Sequence, residues 1–411
     1  MEKKRLDKLF YGDRETYEQE YRKRFDDPDT FHLSIIIAEQ PAFFYVTPKM
    51  LNQVAAIERL DKEVVLLCEK KKGGLPGVAL TQFVQDCLIG EILQTNNIEG
   101  VYSTRKDIDK VLQNPDKRHR FQGIVRKYQQ LLKDTDILLK TSQDIRNLYD
   151  DLFSDEIAFM DKENLPDGQI FRKGTVGVHS ATDQKIHSGL YPESKIIDTM
   201  DHALQFLHDD SVDILIRIAA FHYLFGYIHP FYDGNGRTSR FISSYLLSLH
   251  LHPLMGYRIS YTIKEHIHQY YKAFKVCNDP KNKGDLTPFI ETFLGIVETA
   301  ERNLLEALEI RRSKLHFYHA RIPLLPAGNV DRNMKQLYYV LIQAALFSNN
   351  GISRNHLEET VKVSAKTLSV LLSRIPETML LKQKQGRRDH YMLDLDAVND
   401  YLMNLKDDAA V

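Results

Sequence analysis

Only three cysteines, Cys68, Cys87 and Cys277, occur in 411 residues, and none forms a CxxC pair. Such sparse cysteines give neither a disulfide framework nor a thiolate metal site, so buried thiols in a reducing compartment are the expectation. The chain also lacks a surplus of either charge. Its 55 Lys and Arg face 56 Asp and Glu, for a net charge of -1, and the pI is about 7.0. No bulk attraction to nucleic acid or to an anionic membrane is therefore implied. No window approaches the roughly 20 apolar residues that cross a bilayer. The opening MEKKRLDKLFYGDRETYEQ has no apolar core of a signal peptide. Internal repeats and low-complexity tracts are missing too. These absences leave a soluble cytoplasmic protein as the expectation, without membrane partners.

What is present is helix-forming pattern. A hydrophobic content of 43% supplies a core for two or three domains. Apolar residues at three- and four-residue spacing predict helices over 47–71 and 79–100, the first stopped by KKGGLPG. Further helices are expected at about 106–140 and 142–153, and again from Ile196 to about 320 with breaks near 229–240, 252–262 and 278–286. The segment 168–192 is short, β-branched and Gly-rich, and reads as a small β-hairpin. RIPLLPAGN (321–329) reads as a linker. Beyond it, three helical segments and a strand pattern turning at Gly386 and Arg387 suggest a winged helix. The expected fold is mainly α, a helical bundle with one β-hairpin and a small C-terminal winged-helix domain. The boundaries fall at 1–105, 106–320 and 330–411.

The run HPFYDGNGRTSR (229–240) interrupts two apolar helical stretches. Gly234 and Gly236 remove the Cβ atoms that would keep an anion from the backbone N–H groups of a helix start. Arg237 and Arg240 follow three residues apart, so both project toward that end, where guanidinium groups bind phosphate oxygens. Asp233 is the one acid in the loop, suited to hold Mg²⁺ through phosphate oxygens and water. His229 is the group able to take a proton near neutral pH. Alone, a His-Pro or a DGNG would more often be a plain turn. An EF-hand reading fails, because Arg237 and Ser244 stand where calcium ligands would be needed. It is their conjunction within 12 residues that points to transfer from a nucleotide phosphate to a hydroxyl.

This run resembles the signature of the Fic family, HPFx(D/E)GNGRxxR, at every specified position, and the resemblance extends over roughly residues 60–300. It implies an all-α bundle with a β-hairpin flap, and a protein adenylyltransferase that moves AMP from ATP to Ser, Thr or Tyr hydroxyls, with Mg²⁺ as cofactor. By the same resemblance His229 is the base and Asp233 the magnesium ligand. Gly234, Asn235 and Gly236 line the α- and β-phosphates, Arg237 meets the pyrophosphate and Arg240 the γ-phosphate, with Thr238 in the same nucleotide-binding run. Tyr270, Tyr271 and Asn278 match adenine- and ribose-contacting positions. Thr175, Val176, Gly177, Val178 and His179 match the flap, which pairs by backbone with an extended target segment. Here Gly177 and a longer downstream connection depart from other members.

QTNNIEG (94–100) matches the family's inhibitory pattern (S/T)xxxE(G/N) through Thr95, Glu99 and Gly100. In such members the glutamate pairs with the second signature arginine, here Arg240, and occupies the γ-phosphate position. The same Glu99 suits a water-activating base that removes AMP from modified protein. In the last block, seven basic residues (Lys362, Lys366, Arg374, Lys382, Lys384, Arg387, Arg388) face one acid, Glu377, over 362–388. DNA contact and protein interaction both stay open for it. Two function classes follow: an autoinhibited adenylyltransferase, with its AMP-removing counterpart, and a DNA-binding regulator that senses nucleotide. The intact signature favours the enzyme. Self-modification and a homodimer are further expectations left open.

Overall fold

The computed structural model describes residues 5–69, 74–115, 117–131, 133, 136–179, 185–385 and 388–408, giving the backbone alone at 178–179, 185–187 and 406–408. Gly386 and Arg387, expected at the C-terminal turn, lie outside the described residues. The chain divides into two compact units, Met1–Asp61 with Leu88–Asn303, and Lys62–Cys87 with Leu304–Val411.

The first unit begins with helices α1 (Leu6–Leu9) and α2 (Arg14–Phe25) and a hairpin of β1 (Thr30–Ile37) and β2 (Gln40–Tyr45). This hairpin corrects the expectation of a helical N-terminal region with a single hairpin in the whole α domain. Its signal is β-branched residues in alternation, with Leu33, Ile35 and Ile37 buried and His32, Ser34 and Ile36 turned outward or less covered. Next come α3 (Pro48–Cys68) and α4 (Gly77–Ile98), close to the two helices expected. The single helix expected over 106–140 is instead α5 (Arg105–Gln113) and α6 (Gln122–Gln130), parted around Pro115 because proline's neighbours leave the α region. Thr104 and Thr141 start α5 and α7 (Ser142–Tyr149) with reciprocal capping boxes to Asp107 and Asp144. A π-helical turn, Asp150–Ser154, joins α7 to α8 (Asp155–Met160).

The expected hairpin forms as β3 (Gly177–His179) and β4 (Lys185–Ser188), antiparallel and shorter than the stretch read as strand. The helices α9 (Glu193–Leu207), α10 (Ile214–Ile228), α11 (Asn235–His250), α12 (Ile259–Glu265), α13 (Ile267–Cys277) and α14 (Thr287–His319) follow. An unforeseen break at 208–213 separates α9 from α10, where Asp213 caps the new helix by accepting from the Leu215 N–H. Helix α10 is apolar on every side and buried almost throughout, so it is the axis of this unit's core.

The second unit holds the end of α3, the start of α4, the end of α14, α15 (Arg332–Phe347), β5 (Ile352–Ser353), α16 (Arg354–Val361), α17 (Ala365–Leu372), β6 (Leu380–Gln385), β7 (Arg388–Leu393) and α18 (Leu395–Asp408). Its antiparallel sheet runs β5-β7-β6. Leu337, Leu341, Leu357, Leu368 and Leu393 are buried in its core.

Candidate active site

Helix α10 stops at His229, which adopts a left-handed backbone (φ 51, ψ 64) while its N–H still donates to the Phe225 carbonyl at 2.9 Å. Non-glycine residues in this region carry strain that surrounding contacts must hold. Pro230 then prevents helix continuation. The loop is closed by Asn235, whose Oδ1 accepts from the Phe231 N–H at 2.9 Å while its Nδ2 donates to the Phe231 carbonyl at 2.8 Å. The asparagine thus builds the loop with both ends of its side chain. Phe231 stacks on Tyr149 with centroids 3.7 Å apart. Gly234 sits at φ 78, and a Cβ there would press on the Tyr149 and Phe153 rings. The π-helical turn after Tyr149 therefore shapes the floor against which the glycine turn is laid.

Helix α11 starts at Asn235 with no side-chain cap, so its first N–H groups and the positive end of its dipole face a cavity of about 210 Å³. His229, Asp233, Gly234, Asn235, Gly236, Arg240, Tyr270, Tyr271, Gly177 and Glu99 all line it. Residues scattered from 99 to 271 are brought together here. Tyr232, Phe274 and Gly226 also line it and escaped the sequence reading, Tyr232 as the unspecified position of the signature and the other two as ordinary helical residues.

Arg240 is 1% exposed. Its Nε donates to Thr95 Oγ1 at 2.8 Å, and its Nη2 donates to the Thr95 carbonyl at 3.0 Å and to Glu99 Oε1 at 2.8 Å. Burial works against the Arg240 charge, but the Glu99 carboxylate together with Tyr270 and Tyr271 holds its pKa above the ordinary arginine value. A Cβ on Gly236 would collide with the Glu99 carboxylate, so Glu99 lies directly over the first turn of α11. One carboxylate, its side chain 30% exposed, thus pairs with Arg240 and lies over the start of α11. The remaining cavity is smaller than the roughly 300 Å³ at the low end for ligand pockets.

Not every expected residue reaches the cavity. Arg237 is buried, with Nη1 on Glu156 Oε1 at 3.0 Å, its guanidinium 4.4 Å over the Phe153 ring, and Nη2 3.9 Å from Asp233 Oδ1. Arg120 approaches the same glutamate at 3.6 Å. Asp233 stays 46% exposed, its Oδ1 taking the Gly234 N–H. Thr238 bonds back to the Gly234 carbonyl and locks the first turn of α11. Asn278 caps α13 and accepts from the Tyr223 hydroxyl at 2.6 Å, away from the cavity lining. Tyr270 joins a buried hydrogen-bonded chain, its hydroxyl 2.7 Å from His222 Nε2, while His222 Nδ1 meets Ser243 at 2.8 Å. Burial pushes the Tyr270 phenol up, and burial followed by Glu99 pushes Tyr271 up to about 12, so both rings remain neutral apolar walls. Thr175 and Val176 lead into the hairpin, and the side chains of Val178 and His179 lie outside the described residues.

The exposed Asp233 carboxylate, set at a helix start that favours phosphate, fits a magnesium ion shared with phosphate oxygens. Among the described residues no group of three or more His, Cys, Asp or Glu gathers to hold a metal alone.

Residues 139–247 match the Fic/DOC family. The matched Fic segment runs from the turn before α7 through most of α11 and so holds the whole signature loop. Among curated proteins, the protein adenylyltransferase Fic of Culex quinquefasciatus is 40% identical over 90 residues, 22% of this chain and 16% of that protein. Its counterpart in Aedes aegypti is 40% identical over 83 residues, 20% of this chain and 14% of the other. The chain thus matches about one sixth of the length of these relatives. A crystal structure of a Fic family protein from Desulfovibrio desulfuricans shares the fold, with a TM-score of 0.53 and 20% identity over 85% of this chain and 97% of the other. No helix among the described residues is long and apolar enough to cross a membrane.

Proposed function

We propose that the first unit is a protein adenylyltransferase that moves AMP from ATP to Ser, Thr or Tyr hydroxyls, restrained by Glu99. The observation that carries this reading is the convergence of His229, the bare N-terminus of α11 and Arg240 on one cavity, with the Glu99 carboxylate lying on both phosphate-binding elements. His229 takes the hydroxyl proton as its oxygen attacks the α-phosphorus. The bond from the α-phosphorus to the bridging oxygen breaks, and pyrophosphate leaves with that electron pair. The N–H groups of Asn235 and Gly236 and the α11 dipole receive the negative charge. Arg240, freed from Glu99, binds the γ-phosphate. Asp233 would hold magnesium, which when bound would supply charge neutralisation at the phosphates. Arg237, paired with Glu156, supports Asp233 from below.

Glu99 also supports a second activity at the same site. Its carboxylate shares the cavity with His229 and Asp233, which supports a role in activating water against an AMP–protein ester. The second unit's order of helix, strand, two helices and a two-stranded hairpin supports reading it as a winged helix, for protein or DNA contact.

The deciding experiment incubates wild type, Glu99→Gly and the Glu99→Gly, His229→Ala double variant with Mg²⁺ and α-³²P-labelled ATP, followed by gel autoradiography. Strong labelling by Glu99→Gly, weak labelling by wild type, and a loss of about 10²–10⁴-fold on adding His229→Ala are expected. No labelling by Glu99→Gly would sink the reading.

A further inference from the structure

Arg172 is fully buried, and no carboxylate contacts it among the described residues. Burial pushes its pKa below the ordinary arginine value. A guanidinium in that setting is costly unless it is hydrogen-bonded, and here each of its three nitrogens donates to a backbone carbonyl. Nε donates to the His229 carbonyl at 3.0 Å, Nη1 to the Gly174 carbonyl at 2.5 Å and Nη2 to the Leu190 carbonyl at 2.8 Å. The flat fork of an arginine reaches three acceptors in divergent directions, which an ammonium cannot do equally well.

These three carbonyls belong to functionally distinct pieces. Gly174 lies just before β3, Leu190 just after β4, and His229 ends α10 in its left-handed conformation. The backbone repeats the link, with Arg172 N–H donating to the Pro230 carbonyl at 3.2 Å and Leu190 N–H to the Ile228 carbonyl at 3.1 Å. The Gly174 N–H adds a bond to the Tyr232 hydroxyl at 2.7 Å. The guanidinium also stands at the C-terminal end of α10, where the helix dipole and carbonyls without intrahelical partners favour a cation. A Cβ on Gly189 would strike the Arg172 guanidinium and the His229 Cβ together, so the contact is close-packed.

We propose that Arg172 is a positioning residue for adenylyl transfer. It holds His229 in its strained backbone conformation and fixes the distance between the β3 edge and that imidazole. A target strand laid along β3 then brings its hydroxyl to the base in register. This inference rests on the reading of His229 as the base. It assigns Arg172 no contact with ATP, since it does not line the cavity.

The test uses full-length Glu99→Gly protein as parent, with Arg172→Met and Arg172→Lys added separately. Labelling rate at saturating ATP, the KM for ATP, ATP affinity by calorimetry and the histidine-ring ¹H–¹³C spectrum are measured, the His229 signal being assigned by its loss in His229→Ala. For Arg172→Met the labelling rate falls about 10²-fold, the cost of roughly ångström-scale misplacement. KM and ATP affinity stay within about threefold, the His229 signal shifts, and Arg172→Lys recovers part of the rate. A labelling rate within threefold of the parent overturns the proposal, as does an unmoved His229 signal or a loss of ATP affinity in step with rate. Should Arg172→Met not fold, Gly189→Ala, which intrudes on the same contact, is read against the same criteria. A parent that fails to label defeats the transferase reading alone, and the His229 signal in Arg172→Met still decides the positioning role.

Discussion

Thr95 and Glu99 divide the hold on Arg240, and the division is testable residue by residue. Thr95→Val removes the acceptor of the Arg240 Nε bond but leaves the Thr95 carbonyl and Glu99. We expect a stability loss of about 1–3 kcal/mol from the stranded donor. AMP labelling should fall between wild type and Glu99→Gly if the proposed restraint on Arg240 is loosened but not removed. Labelling no higher than wild type would show that Glu99 alone sets the restraint. Tyr149 makes the opposite case. Its hydroxyl is buried with no hydrogen bond among the described residues, while its ring carries the stack on Phe231. Tyr149→Phe should therefore be neutral or stabilising by up to about 1 kcal/mol, and thermal unfolding checks it. A clear loss of stability would reveal a partner for that hydroxyl.

At the scale of elements, the packing of α10, α11 and α13 encloses His222, and that of α3 and α14 encloses Glu301. Burial pushes the His222 pKa down to about 3. Between pH 3 and 6.5 the unfolded chain binds this proton and the folded one does not, so stability rises with pH there and levels above 6.5. Glu301 runs the other way. Burial, with Asp61 beside it, pushes its carboxyl up to about 9, so the folded chain keeps a proton that the unfolded chain releases above about 4.5. Its contribution thus falls as pH rises from 4.5 to 9. Above 6.5, of these two, Glu301 alone acts. Urea unfolding followed by far-UV circular dichroism should show stability falling by at most about 1.4 kcal/mol per pH unit from pH 6.5 to 8.5. Glu301→Gln should flatten that slope, and a slope unchanged by the substitution would reject the assignment.

For the whole molecule, the second unit is discontinuous in sequence, since Lys62–Cys87 belongs with Leu304–Val411. Phe83 packs edge-on to Phe347, and Asn349 Nδ2 donates to Asp86 at 2.5 Å. A chain cut after residue 330 therefore keeps Phe83 and Leu67 but loses Phe347 and the rest of that core. We expect such a truncation to be proteolysed within 62–87 faster than full-length protein. Equal resistance in limited proteolysis would show that this segment holds without its C-terminal partners. The linker composition of 321–329 gave no hint of this, because a boundary read along the chain cannot reveal which distant segment fills a core.

Local order was written in the sequence wherever short-range chemistry decides. Apolar spacing located α3 and α4, two glycines and an asparagine marked the turn before α11, and strand alternation marked β6 and β7. The signature loop was legible as a glycine turn opening a helix, because helix starts and glycine turns are local devices. Alternation in β1 carried a signal too, but helix on both sides masked it. Tertiary structure alone decided which charges meet. Arg237 turns to Glu156 rather than into the cavity, Asn278 turns to Tyr223, and Glu99 covers Gly236. Arg172 reads in sequence as one more surface cation between Phe171 and Lys173. Its role depends on three carbonyls brought within 3.0 Å from residues 174, 190 and 229. Backbone acceptors carry no residue identity, so no sequence pattern announces them. Only the folded chain brings them to one guanidinium.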